Sequence, residues 1–142
     1  MTTIAYKNGI IAYDSRLMVG NLIYDDDFDK KIEVDGVIFF MSGTVSDYPA
    51  FIDAYFGKPN NNVSLDVESI ALHDGVLYRS SVDDKGVCWK SPLRRENSYA
   101  IGSGSHFALA FMDAGYHAEG AVKATIKRDC WTGGNVNTFV LR

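Results

Sequence analysis

Glycine-containing turns between short apolar runs are the sequence feature that most constrains the fold. Asn8-Gly9 separates the apolar residues 4–6 from residues 10–13, and Asp35-Gly36 separates the strand-like residues 31–34 from residues 37–41. Asn-Gly or Asp-Gly between apolar runs is a strong short-range signal for a β-hairpin. Two further hairpins are predicted after residue 66, the first around His73-Asp74-Gly75 and the second leading into a strand at 87–89.

The order of the remaining elements predicts a layered α+β fold. A helix is predicted from Ser46 to Phe56, where Gly57 ends it, and two more over about 106–114 and 118–128, before a last strand at 136–141. Strands, a helix, more strands, two helices and a strand are typical of α+β layers, not of a doubly wound parallel sheet. We expect two sheets packed face to face with helices outside.

Composition restricts the classes of protein that remain. A chain of 142 residues with 46% hydrophobic content is expected to form one domain over residues 1–142. It has neither the pattern of a signal peptide nor a run long enough to span a bilayer. Its two distant cysteines favour a reducing cytoplasm, and a net charge of -4 argues against nucleic acid as the main partner.

Thr2 directly follows the initiator methionine. Small second residues generally permit removal of that methionine, which would give Thr2 a free α-amine beside its own hydroxyl. An N-terminal amine is one known base for activating a threonine hydroxyl, and its reference pKa of roughly 7.7–8.0 lies close to working pH. Taken alone this is a weak signal, because many proteins begin Met-Thr without any such chemistry.

Three other patterns are disfavoured as sites. The acidic run 25–29 resembles the start of a calcium loop, but the sixth position is Lys30 instead of glycine and the twelfth is Gly36 instead of glutamate. The glycine-serine stretch 102–105 precedes a helix and could cradle a phosphate, yet it contains no lysine and lacks Walker spacing. The three histidines are scattered, so no metal site is expected.

Six segments together resemble those of proteasome β-type, HslV-like N-terminal-nucleophile hydrolases, and particularly the short members often found in phages. Each segment is loosely defined, but all six occur in the family's order. They are residues 2–6 (TTIAY), 12–16 (AYDSR), 31–32 (KI), 42–44 (SGT), 101–105 (IGSGS) and 128–134 (RDCWTGG). The resemblance implies a four-layer αββα sandwich, which is consistent with the element order.

The resemblance also implies a threonine-type peptidase or amidase centred on Thr2. The Thr2 hydroxyl would attack the scissile carbonyl and the α-amine would act as base. Asp14 and Lys31 match the family's buried carboxylate and lysine. Lys30 is the alternative, because a slip of one residue moves a side chain to the other face of a sheet; Lys31 is favoured because it directly precedes an apolar residue, as the family's lysine does.

The other implied site residues come from three later segments. Gly43 matches the glycine whose backbone N–H forms the oxyanion hole, and Ser103 and Asp129 match the residues that orient the amine and its water. The substrate pocket is expected to contain Met18, Met41 and Thr132, with Thr132 also in the position of a supporting hydroxyl. Met41 suggests an apolar specificity.

Partners follow from the same resemblance. It implies a polypeptide substrate, a homo-oligomer and possibly an ATP-dependent unfoldase, with no cofactor, metal, nucleic acid or membrane, in the cytoplasm. Two alternatives stay open: a non-catalytic assembly protein that keeps the fold, and a hydrolase of small amides. Retention of Met1 would leave Thr2 without a free amine, and the site would then be latent, inactive or not yet processed.

Overall fold

The computed structural model describes residues 2–59 and 64–142, which form eleven strands and three α-helices. The strands are β1 Thr3–Lys7, β2 Ile10–Asp14, β3 Leu17–Val19, β4 Leu22–Asp25, β5 Lys31–Val34, β6 Val37–Gly43, β7 Val67–His73, β8 Val76–Val82, β9 Cys88–Pro92, β10 Tyr99–Gly102 and β11 Val136–Val140. The helices are α1 Tyr48–Tyr55, α2 Ser105–Asp113 and α3 Ala118–Ile126. Met1 lies outside the described residues.

The predicted hairpin turns are confirmed. Asn8-Gly9 joins β1 to β2, Asp35-Gly36 joins β5 to β6, and Asp74-Gly75 joins β7 to β8. In each pair both residues have a positive φ, from 49° to 51° at the first position and from 76° to 81° at the glycine. Two successive positive φ angles match the right-handed twist of the flanking strands, which is why Asn-Gly and Asp-Gly are favoured there.

One sheet contains both the first and the last strand of the described chain. Its strand order is β10-β1-β2-β11, with every neighbouring pair antiparallel. Thr3 is paired with Gly102, and Asp14 with Val136. The start of β1 and the ends of β2 and β10 therefore lie side by side at one end of the strands, although β10 is far from the other two in sequence.

The other sheet is a five-stranded antiparallel meander, β5-β6-β7-β8-β9. Along β6 the side chains alternate between two faces, as the strand period requires. Phe40 packs between the sheets against Tyr13, whereas Phe39 and Met41 pack against α1. The alternation thus gives both faces of this sheet an apolar core.

Three apolar cores separate four layers. The first lies between the two sheets, the second between the five-stranded sheet and α1, and the third between the four-stranded sheet and the pair α2 and α3. The small residues Ala5, Ala12 and Ala121 are completely buried in the third core, which lets α3 lie close to β1 and β2. The predicted four-layer αββα sandwich is confirmed.

The helix and strand bounds differ from the prediction at a few points. The first helix was expected to start at Ser46, but Val45–Asp47 forms a single 3-10 turn and α1 begins at Tyr48, with Pro49 in its first turn. The short hairpin of β3 and β4 was not predicted as a strand pair. Within the described residues, no helix combines the length and apolarity needed to cross a bilayer.

Candidate active site

Thr2 lies immediately before β1 and is 1% exposed. Its carbonyl oxygen packs against Gly102, where a Cβ would lie 2.0 Å from that oxygen. Gly102 also has a φ of 96°, a conformation that residues with side chains rarely adopt. A glycine at this position therefore allows the strand β10 to hold the backbone of Thr2 closely.

The Thr2 hydroxyl meets a buried ion pair. Asp14, at the end of β2, is fully buried, and Lys30, directly before β5, is 3% exposed. Lys30 Nζ lies 2.7 Å from Asp14 Oδ1 and also donates to Thr2 Oγ1, while Thr2 Oγ1 donates to Asp14 Oδ1. A hydroxyl, a cation and a carboxylate thus contact one another in a largely buried cluster.

The lysine of this cluster is Lys30, so the expectation of Lys31 is wrong. Lys31 is the first residue of β5 and pairs with Phe40, and its ammonium lies 5.5 Å from the ring centroid of Phe139. Lys30 precedes the strand, and its carbonyl accepts a 3.4 Å contact from the amide of Met41. The two neighbouring side chains thus leave the chain in different directions, that of Lys30 toward Thr2 and that of Lys31 toward Phe139.

The charges in this cluster compensate one another incompletely. Burial lowers the pKa of Lys30, and the neighbouring carboxylate of Asp14 opposes that shift by raising the pKa. Asp14 accepts five hydrogen bonds in all. Besides Thr2 and Lys30, the donors are the backbone amides of Thr3 at 3.1 Å, Gly133 at 2.9 Å and Arg16 at 3.4 Å. Both carboxylate oxygens of Asp14 therefore accept hydrogen bonds.

A second carboxylate, Asp129, organises a chain of hydroxyl groups on the other side of Thr2. Ser103 Oγ and Thr132 Oγ1 each lie 2.7 Å from Asp129 Oδ2, and Thr132 Oγ1 lies 2.7 Å from Thr3 Oγ1. Because Ser103 uses its single proton on Asp129, its lone pairs are left to accept a bond. Its oxygen also lies 3.4 Å from the carbonyl oxygen of Thr2, to which the same hydroxyl can donate instead.

Gly43, at the end of β6, lines the same cavity as Thr2. Its φ is 126°, and a Cβ there would lie 2.1 Å from the carbonyl oxygen of Asp66. Only glycine fits this backbone without displacing the neighbouring strand. The amide of the following residue, Thr44, donates to that same carbonyl at 2.8 Å.

The cavity beside Thr2 has a volume of about 400 Å³ and largely apolar walls. One wall is the hairpin of β3 and β4, and the opposite wall is the start of the helical layer. The apolar lining residues are Leu17, Met18, Val19, Tyr24, Phe28, Val45, Tyr48 and Trp131. Such a cavity can take a large apolar side chain next to the Thr2 hydroxyl.

Of the three residues expected in the substrate pocket, the structure places only Met18 there. Met41 is fully buried against α1, because it lies two residues after Phe39 and therefore on the same, helix-facing side of β6. Thr132 is also fully buried and lies beneath the cavity in the hydroxyl chain with Asp129. Met41 and Thr132 are therefore corrected from lining residues to supporting ones.

Three residues of the site were not singled out from the sequence. Thr3 adds a hydroxyl to the chain, Gly133 adds an amide to Asp14, and Arg16 contacts several parts of the site through backbone and side chain. All three lie in segments that carry the resemblance, so the signal was present without a role attached. Among residues 2–59 and 64–142, no group of three or more His, Cys, Asp or Glu side chains is arranged to hold a metal ion.

The arrangement contains several groups that acyl transfer uses. It offers a hydroxyl held by a cation, a carboxylate that balances the cation, a serine hydroxyl beside the Thr2 carbonyl, and a glycine at the cavity. A cation donating to an oxygen favours the charge that oxygen develops when it loses its proton.

Comparison with solved structures finds the same fold. Eukaryotic HslV from Trypanosoma brucei aligns with a TM-score of 0.70 and 18% identity, over 99% of this chain and 98% of that one. BPH from Thiobacillus denitrificans in complex with epoxomicin aligns with a TM-score of 0.68 and 18% identity over the same shares. No family model matches the sequence, and a search of curated proteins gave no match. The chain therefore has an HslV-like, proteasome β-type fold.

Proposed function

We propose that this chain, with its HslV-like proteasome β-type fold, is a threonine-type peptidase or amidase that uses Thr2 as an N-terminal nucleophile after removal of Met1. The observation that carries the proposal is the buried contact of the Thr2 hydroxyl with both Lys30 and Asp14. A buried lysine and carboxylate are costly to keep unless their geometry is good, and here both converge on one hydroxyl.

Attack by Thr2 Oγ1 on a substrate carbonyl forms a tetrahedral oxyanion as the α-amine of Thr2 takes the hydroxyl proton. Lys30 donates to Thr2 Oγ1 as charge develops there, and Asp14 balances the lysine. The Gly43 amide is proposed to hold the oxyanion, where one donor contributes roughly 3–4 kcal/mol. The protonated amine then gives its proton to the leaving nitrogen as the C–N bond breaks, which leaves the acyl group on Thr2 as an ester.

Ester hydrolysis follows with water in place of the leaving amine. Ser103, whose proton is engaged by Asp129, keeps an oxygen available to orient the α-amine. The amine again takes a proton, now from water, and returns it to Thr2 Oγ1 as the ester breaks. Ser103 and Asp129 are proposed to orient the base in both half-reactions.

The substrate is proposed to be a polypeptide with a large apolar residue before the cleaved bond. The support is the apolar cavity beside Thr2, to which Met18 and Trp131 contribute. A homo-oligomeric assembly in the cytoplasm, with an ATP-dependent unfoldase as a possible partner, belongs to the same proposal. It is suggested by the similarity to HslV and BPH, not by a contact in this chain.

Intact-mass spectrometry and active-site labelling test the proposal together. The purified protein is expected to lack the methionine mass and to gain one adduct from a β-lactone or from epoxomicin, with Thr2 as the modified residue. A Thr2→Ala variant serves as the control and is expected to stay unmodified. A protein that has lost Met1, is folded, and still resists both reagents would contradict the enzyme and favour a non-catalytic assembly protein.

A further inference from the structure

Arg16 contacts more parts of the candidate site than any single catalytic role requires. Its guanidinium forms a forked pair with Asp26, with Nε 2.9 Å from Oδ1 and the second terminal nitrogen 3.1 Å from Oδ2. The remaining nitrogen donates to the carbonyl of Cys130 at 3.0 Å. One side chain thus joins the end of β4 to the segment 129–133.

Close packing strengthens this connection. A Cβ on Gly133 would lie 2.2 Å from the guanidinium carbon, so the backbone of residue 133 lies directly against the arginine side chain. Gly133 in turn donates its amide to Asp14 Oδ2 at 2.9 Å. The guanidinium therefore packs against the residue whose amide binds Asp14, and the carbonyl of that residue also accepts from the amide of Ser15 at 3.1 Å.

The same segment carries the second carboxylate of the site. Cys130, whose carbonyl accepts from Arg16, directly follows Asp129, and the Asp129 carboxylate receives the Ser103 hydroxyl. The Arg16 side chain is 18% exposed, and its pair with Asp26 raises the arginine's pKa, so the cation is permanent at working pH. The planar guanidinium holds its hydrogen bonds in fixed directions, so it links the residues after β2 and β4 to the segment 129–133.

We propose that Arg16 is a positioning residue of this active site: its guanidinium fixes the segment 129–133 against β2 and β4, and thereby places the Gly133 amide on Asp14 and Asp129 on Ser103. This inference rests on the proposed function for its rate effect. Its structural part concerns the Gly133–Asp14 contact and holds for the folded chain with or without activity.

Three other roles for Arg16 make different predictions. As a wall of the cavity it would change substrate affinity. As a charge it would act on the pKa of Lys30, which faces the charged groups of Asp14, Asp129, Asp26 and Arg16 itself, and Arg16→Lys would then behave like the parent. As a purely stabilising pair it would change the fraction of folded protein and leave the folded protein's rate unaltered.

Arg16→Lys and Arg16→Gln separate these roles from positioning, because lysine keeps the charge but cannot form the fork. The assay follows β-lactone acylation of Thr2 over a range of reagent concentrations, giving the saturating rate constant and the half-saturating concentration. Both variants are expected to lose roughly 10- to 100-fold in the rate constant, as misplacement of about 1 Å does elsewhere. Their half-saturating concentrations are expected to match the parent's.

Arg95→Lys is the matched control. Arg95 also donates to a backbone carbonyl, that of Gly75 at 2.6 Å, but lies outside the cavity beside Thr2. Its rate constant is expected to equal the parent's. Positioning by Arg16 is overturned if Arg16→Lys behaves like the parent, if only the half-saturating concentration changes, or if the loss equals the unfolded fraction measured by circular dichroism.

Hydrogen exchange keeps the proposal testable if the parent cannot be acylated at all. That result would contradict the peptidase function, but the Gly133 amide can still be followed by NMR in parent and Arg16→Lys. Faster exchange at Gly133 with unchanged exchange in β7 supports positioning by Arg16. Unchanged exchange at Gly133 overturns it.

Discussion

Replacing Asp14 by asparagine tests the buried ion pair most directly. Asparagine keeps the shape, but every partner of Asp14 is a donor, so the asparagine NH2 group would face donors in either orientation of its amide. Removing one partner of a buried pair costs about 3–5 kcal/mol, because the remaining charge loses its compensation. Since whole domains are stable by only about 5–15 kcal/mol, we expect Asp14→Asn to be close to the limit of folding.

The free-energy cost of leaving Lys30 charged and unpaired has an upper bound, because the lysine can release its proton instead. A lysine with an unfolded pKa of 10.5 gives up its proton at pH 7 for about 4.8 kcal/mol, at about 1.36 kcal/mol per pKa unit. Neutral Lys30 in the folded variant would make the unfolded chain the one that binds more protons. Stability relative to the parent is therefore expected to rise with pH, by up to about 1.4 kcal/mol per unit, between the folded pKa of Lys30 in the variant and its less strongly lowered folded pKa in the parent.

Urea unfolding followed by circular dichroism at several pH values measures this, in a double-mutant cycle with Lys30→Met. The double variant is expected to lose less than the sum of the two single losses, because it leaves no unpaired charge. Lys31→Met is the matched control and should cost under about 1 kcal/mol, the usual range of an exposed cation–π contact. Equal costs for Lys30→Met and Lys31→Met, or a cost for Asp14→Asn below about 1 kcal/mol without pH dependence, would refute the reasoning.

Three further substitutions have defined outcomes. Gly43→Ala places a Cβ 2.1 Å from the Asp66 carbonyl, so we expect a lower melting temperature in thermal scans and loss of Thr2 labelling by epoxomicin. Ser103→Ala removes the oxygen proposed to orient the amine; we expect roughly 10²-fold slower β-lactone acylation with little change in unfolding free energy, and an unchanged rate would count against that role. Tyr48→Phe removes a 3.2 Å hydrogen bond from the buried hydroxyl to Met41 and should cost about 1 kcal/mol in urea unfolding without slowing labelling.

The sequence allowed most of the fold to be predicted because its turns carry their own conformation. Asn8-Gly9 and Asp74-Gly75 specify two positive φ angles, and that geometry fixes the hairpin and its register locally. The hairpin of β3 and β4 escaped prediction because β4 is fully exposed and shows no alternation of buried and exposed positions. Burial periodicity cannot reveal a strand that has no buried face.

The candidate site was only partly accessible to the same reasoning. Asp14 and Asp129 could be named from local segments, and the structure brings both to Thr2 and its neighbours. Lys30 was named only as the alternative to Lys31, because the sequence does not show which of two neighbouring side chains faces Thr2. Met41 was misplaced because both faces of β6 are apolar. The strand pattern alone therefore does not show which face packs on α1.

The strand order has a consequence for when this chemistry can exist during synthesis. The five-stranded meander joins only sequence neighbours, so it can form early, as local contacts generally do. The other sheet waits for β10 and β11, and Asp14 is not fully held until residue 133 arrives. A nascent chain that still lacks its last tenth therefore has Thr2 at its beginning but no assembled centre around it. The candidate site is therefore completed only near the end of synthesis.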